Sequence, residues 1–170
     1  MRRLFYVPLE PLPERYTVQL SAAGKGWLES RWNENQIPYE RIEGQQLVSS
    51  IECGSVLDAN GRGFWATSQI QMLLTLLHEK KITSKDVIYF DDFWHPGISA
   101  LPYSFQLMGI KPKMYAMLHA QTVDPNDFTY DMRHWMRHFE IGIGKILDGI
   151  FVTSTCLRDA LLYAGIGTPE

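Results

Sequence analysis

Short apolar runs alternate with longer stretches of helical spacing along the chain, and that alternation predicts an α/β fold. Leu4 to Val7 is a continuous apolar run closed by Pro8, the mark of a short buried strand. Tyr16 to Asn35 carries Val18, Leu20, Ala23, Trp27, Leu28 and Trp32 at helical spacing, with Gly24 and Gly26 weakening its middle. Tyr39 to Glu43 alternates and reads as a second strand. A further strand is expected at Ser55 to Leu57, followed by a turn at Asn60-Gly61. Trp65 to Lys81 is the clearest helix, with Ile70, Leu73, Leu74 and Leu77 on one face and Lys80-Lys81 suiting its C-terminal end.

The second half repeats the rhythm. The stretch DVIYFDDFWHPG, residues 86 to 97, opens as a strand and ends in acids, a histidine and a Pro-Gly turn. Ile98 to Met108 reads as a helix with Pro102 near its start. Lys113 to Leu118 is a strand ending at His119, and Phe128 to Leu147 is a long helix. Gly149 to Val152 is a strand, and Thr155 to Ala164 a helix closed by Gly165. Continuously apolar strands alternating with helices predict a Rossmann-like, doubly wound, mostly parallel sheet with helices on both faces. The closing GIGTPE is turn chemistry, which predicts that this single domain is the N-terminal half of a larger protein.

Composition narrows the function. With 170 residues and 45% hydrophobic content, one domain with a sizeable core is expected. The net charge is −3 with 21% charged residues, so no cationic excess favours nucleic acid, and no basic amphipathic helix favours a membrane. Cys53 and Cys156 stand apart, outside any CxxC pair, and read as reduced. The apolar run before Pro8 is too short for a signal peptide, and no run reaches bilayer length, so the cytoplasm is the expected compartment.

In open parallel sheets, ligands bind beyond the carboxyl ends of the strands. Asp91, Asp92 and His95 follow one strand there, and His119 follows the next. Taken singly, Asp91 and Asp92 read more readily as turn or helix caps, and His95 reads equally as a solvated loop histidine. His119 reads as functional, because an imidazole ending an apolar strand needs a partner. In MRHWMRHFE, residues 132 to 140, the stripe Met132, Trp135, Met136 and Phe139 is expected in the core. His134 and His138 lack the glutamate of a zinc-protease helix, so a solvated basic face with Arg133 and Arg137 is expected, a phosphate-facing arginine being the lesser reading. GxGxxG, GxxxxGK[ST] and GxSxG are all absent.

The order of three segments carries a resemblance. Asp86-Val87-Ile88-Tyr89 is followed by Tyr115-Ala116-Met117-Leu118-His119. Then come Leu147-Asp148-Gly149-Ile150-Phe151-Val152 and Ser154, Arg158, Leu161 and Gly165. Over roughly the second half of the chain this resembles the N-terminal, acceptor-side domain of GT-B glycosyltransferases, particularly the retaining, nucleotide-sugar-dependent group. The resemblance implies sugar transfer from a nucleotide-sugar co-substrate across a cleft to a C-terminal domain of the same protein, without bound metal or further cofactor. It implies that His119 is catalytic and holds the donor as the sugar leaves. Many relatives carry a Gly-Gly pair after the first strand. Here the loop is prolines, leaving Arg15 or the backbone near Tyr16 to meet the donor, or the loop to read the acceptor. Arg15, Tyr16, Asp92, Trp94, His95, Gln121 and Asp124 are then expected to line the acceptor, which in this architecture is a sugar, lipid, small molecule or modified base. The resemblance further implies that this chain alone binds donor poorly and is inactive.

Two other readings fit the same residues. One is a metal-dependent hydrolase using Asp91, Asp92, His95 and His119. The other is a non-catalytic Rossmann-type binding module.

Overall fold

A computed structural model describes residues 2–13, 15–34, 37–47 and 59–167. The strands are β1 (Leu4–Val7), β2 (Tyr39–Arg41), β3 (Val87–Phe90), β4 (Lys113–Leu118) and β5 (Gly149–Val152). The helices are α1 (Tyr16–Glu34), α2 (Ala59–His78), α3 (Gly97–Leu107), α4 (Arg133–Ile146) and α5 (Thr155–Tyr163). The five strands form one sheet in the order β2-β1-β3-β4-β5, and every pairing is parallel. This is the Rossmann-like α/β fold that the alternation predicts. The expected strand at Ser55 to Leu57, and Cys53, lie outside the described residues. No helix among the described residues is long and apolar enough to cross a membrane.

The two sheet faces are built differently. Register places Phe5, Ile88 and Met114 side by side, then Val7, Phe90 and Ala116. This face meets Leu73, Leu76 and Leu77 of α2, Ile98, Leu101 and Phe105 of α3, Ile143 of α4, and Leu157 and Leu161 of α5, forming the core. The other face is an aromatic stripe. Tyr6 lies 5.9 Å from Tyr89 and 6.1 Å from Tyr39, and Phe151 lies 5.8 Å from Tyr89 and 6.1 Å from Tyr115. Both faces are therefore apolar enough to make β1, β3, β4 and β5 read as continuous runs.

Helix α1 covers the β1–β2 end of the stripe. Ser21 accepts a hydrogen bond from Arg41 at 2.6 Å, and Gly24 lies over the fully buried Tyr6. A Cβ on Gly24 would sit 2.6 Å from the Tyr6 hydroxyl oxygen. Toward β5 the stripe opens, and Phe151 is half exposed.

Two helices differ from the sequence reading. Helix α2 begins at Ala59, so Asn60-Gly61 is helical and no turn forms there. Its buried face is Trp65, Gln69, Leu73, Leu76 and Leu77, with Leu74 turned outward. It ends at His78, and Lys80 in the left-handed region (φ 58°) closes it, Lys81 donating back to Leu76. The expected helix from Phe128 starts as a helix only at Arg133, because Asp127 accepts from the Thr129 N–H and hydroxyl, and a 3₁₀ turn at Tyr130–Met132 follows. Within α4 the buried residues are Met136, Glu140 and Ile143, while Trp135 and Phe139 are exposed, so the core stripe expected there is corrected.

The two glycines of α1 test this packing. Gly26→Ala, with open space around it, is expected to raise stability by about 0.5–1 kcal/mol through helix propensity. Gly24→Ala is expected to lower stability despite the same propensity gain, because the Tyr6 ring is held and cannot yield. Urea midpoints of the two variants check the opposite signs.

Candidate functional site

The carboxyl ends of β1, β3 and β4 meet where the sequence changes from apolar to acidic. Asp91 continues the ladder, its N–H donating to Val7 at 2.9 Å. Its side chain falls on the aromatic face, where the Tyr6 hydroxyl donates to it and the Tyr89 hydroxyl and the Leu9 N–H lie close enough to favour its charge. Burial raises its pKa to about 6 in spite of these donors and the nearby Arg41. The Tyr6 and Tyr89 hydroxyls are pushed up by burial and by that same carboxylate.

The Asp91 carbonyl has a second duty. It accepts from His119 Nε2 at 2.6 Å, and since a carbonyl only accepts, the proton of His119 sits on Nε2. Nδ1 has no hydrogen-bond partner among the described residues and presents a lone pair. Burial lowers the His119 pKa and Arg62 adds to this, against the Asp91 carbonyl bond, so the ring is neutral at pH 7. The ring lies 5.7 Å from that of Tyr16, the first residue of α1, and the Arg15 guanidinium stands 5.9 Å from the Tyr16 ring. His119, distant in sequence, is thus brought together with the adjacent Arg15 and Tyr16.

The chain after Asp91 is built by its neighbour. Asp92 accepts from the Trp94 N–H at 3.0 Å and from Gln121 Nε2 at 3.3 Å on one oxygen, and from Arg62 on the other. The capping reading is correct for Asp92 in part, since it shapes the turn into Trp94. His95 is buried, with Nδ1 accepting from the Gly97 N–H at 3.0 Å and Nε2 facing Gln69 Oε1 at 3.0 Å. The Gln69 amide in turn donates to Pro8 and Ile42. Both nitrogens of His95 are occupied, and burial, with Arg62 nearby, lowers its pKa to about 3. His95 is neither solvated nor open to an acceptor; it pins α3 and α2 to the ends of β1 and β2.

A cavity of about 300 Å³ lies between the first turns of α2 and the β3–α3 loop, walled by Pro8, Leu9, Trp65 and Trp94 with Glu10, Arg62 and Asp92. Trp94 is held by its Nε1–H on Glu140 at 3.0 Å. Glu140, fully buried, also accepts from the Thr122 hydroxyl and N–H and from Arg137. Arg137 donates to the Thr122 carbonyl at 2.8 Å, so it braces this loop and is not part of a solvated basic face; Arg133, His134 and His138 are exposed. Gln121, at φ 52°, bonds back to the Ala120 N–H and across to Asp92. Asp124 is spent on its own turn, accepting from Asn126. Among the described residues no group of three or more His, Cys, Asp or Glu side chains could hold a metal ion. Cys156 is a free, exposed thiol.

Arg62, Glu140 and Gln69 were missed from sequence. Gln69 carried a signal, a polar residue at helical spacing between Trp65 and Leu73. Arg62 lay inside a segment read as a turn.

Asp91 and His95 give stability opposite pH dependences. A folded pKa raised from 3.8 to about 6 means that the Asp91 contribution is full below pH 3.8 and lost as pH rises through 6. The depressed His95 contributes above pH 6.5 and loses this as pH falls toward 3. Asp91→Asn removes the first effect alone. It is expected to stabilise the protein by about 1–3 kcal/mol at pH 7.5, with no gain at pH 4. Thermal melts of both proteins across that range check the sign. No family model matches the chain, and no curated protein is significantly similar to it.

Proposed function

We propose that the chain is the acceptor-side domain of a glycosyltransferase that uses a nucleotide-sugar donor, with His119 at the reacting centre. The observation that carries this reading is His119 itself: neutral, anchored through Nε2 on the Asp91 carbonyl, with Nδ1 open beside Tyr16 and Arg15 at the carboxyl edge of a parallel sheet. An open imidazole nitrogen accepts a hydrogen bond from a sugar hydroxyl, and a neutral ring does not repel a centre acquiring oxocarbenium character. Arg15 supplies positive charge for the phosphate leaving with the nucleotide. The cavity with Trp94 and Trp65 suits the apolar face of an acceptor sugar or base, and its carboxylates suit the acceptor's hydroxyls. No step needs a covalent nucleophile from this chain.

The hydrolase reading loses support from His95, whose two nitrogens are both taken, and from the absence of a metal-holding cluster among the described residues. A binding module remains the alternative if no turnover is found.

The test is a nucleotide-sugar panel on the full product of the reading frame, read as nucleoside diphosphate release with candidate acceptors. His119→Ala is expected to lower kcat/KM by about 10²–10⁴-fold. Activity is expected to fall on the acid side only below the ordinary imidazole value of 6.5, as His119 protonates. Parent-like turnover of His119→Ala would remove His119 from the centre.

A further inference from the structure

The cavity between α2 and the β3–α3 loop is divided chemically. Both of its tryptophans have their N–H groups spent: Trp65 Nε1–H donates to the Pro8 carbonyl at 3.1 Å, and Trp94 Nε1–H donates to Glu140 at 3.0 Å. What the rings can offer a ligand is carbon surface alone. The polar part of the same wall is ionic. Arg62 donates to Asp92 through Nη2, and Glu10 lines the same space. Asp92 Oδ1 carries the Trp94 N–H and Gln121, whereas Oδ2 carries Arg62 and keeps an acceptor site. The Arg62 side chain is a third exposed and reaches Asp92 through one nitrogen, so donors remain for a ligand.

A carboxylate and a guanidinium side by side match two adjacent hydroxyls, one donating to the carboxylate and the other accepting from the guanidinium. A pyranose carries such a diol on its edge and C–H groups on its face, which lie well on an indole. An anionic ligand meets Asp92 and Glu10 as like charges. A nucleobase has the flat face but not the adjacent hydroxyls. The volume, about 300 Å³, is at the small end of ligand pockets and sets the size at one sugar unit.

We infer that this cavity is a subsite for one neutral hexopyranose unit, with its C–H face on Trp94 and two adjacent hydroxyls on the Arg62–Asp92 pair, and that Glu140 is the positioning residue that holds Trp94 for it. Identifying that unit as the acceptor rests on the transferase reading; the subsite itself rests on the cavity. Glu140 is fully buried on α4, and the oxygen that takes the Trp94 N–H also takes the Thr122 N–H at 3.3 Å, so the indole is fixed relative to the loop after β4.

The experiment is NMR titration of the chain with methyl glucopyranoside, methyl galactopyranoside and methyl mannopyranoside. At least one is expected to bind with millimolar affinity and to shift the Trp94 indole N–H and the Arg62 Nε–H together. Arg62→Gln and Trp94→Ala are each expected to weaken binding about tenfold or more. Thymidine and deoxyadenosine, which lack a vicinal diol, are expected to leave both resonances in place. Glu140→Gln keeps an oxygen for Trp94 and is expected to bind within about twofold of the parent, whereas Trp94→Phe, a ring without the N–H, is expected to bind several-fold more weakly. If Glu140→Gln does not fold, Trp94→Phe decides the positioning role, and parent-like binding by it removes that role. No hexopyranoside binding by the parent, unchanged binding by Arg62→Gln or Trp94→Ala, or a deoxynucleoside shifting the same two resonances would overturn the subsite. Sugar binding with the expected pattern in a protein that releases no nucleoside diphosphate keeps the subsite and removes the transferase reading. Transfer to an acceptor that is not a carbohydrate has the reverse meaning.

Discussion

Asp91 ties three strands together at the edge where the site forms. Its N–H extends the β1–β3 ladder, its carbonyl fixes His119 beyond β4, and its carboxylate takes the Tyr6 hydroxyl on the aromatic face. The side chain sits where burial opposes its charge, so the fold carries a destabilised acid at its centre. Strain of this kind survives where the surrounding structure fixes it, and it is concentrated at functional sites. The tautomer of His119 and the side of the ring left open follow from one backbone carbonyl, while burial keeps the ring neutral.

Around that point two layers of support converge. From α2, Gln69 holds His95 and the ends of β1 and β2, so the pocket wall is set by a neutral hydrogen-bond chain with no titration near pH 7. From α4, Glu140 holds Trp94 and Thr122, coupling the loops after β3 and β4 to one helix. A fully buried carboxylate is tolerable there because three donors and a guanidinium surround it. The site is thus rigid where it holds the aromatic wall. At its rim the Arg62–Asp92 pair keeps the guanidinium in access to water.

The strands and their order of use were legible because continuous apolar runs of four to six residues have few other meanings in a chain that alternates with helices. His119 was legible for the same reason, being the polar residue that ends such a run. The start of α2 was not, because Ala-Asn-Gly reads locally as a turn and is helical here. The inner face of α4 was misread because Trp135 and Phe139 outweigh a glutamate in any apolar count. Yet Glu140 goes inside, its partners lying 18 and 46 residues away in sequence. Arg62 is of the same kind, defined by a carboxylate 30 residues distant. What the chain conceals is the set of polar contacts between elements, for which neither periodicity nor propensity leaves a trace.

The most direct measurement is the tautomer and pKa of His119, read from long-range proton–nitrogen NMR correlations of the imidazole. A proton on Nε2 at neutral pH, with titration below 6.5, is the predicted result. A proton on Nδ1 would mean that the Asp91 carbonyl does not set the ring, and a pKa at or above that value would mean that burial does not keep the ring neutral; either result would contradict the open nitrogen on which the site is built.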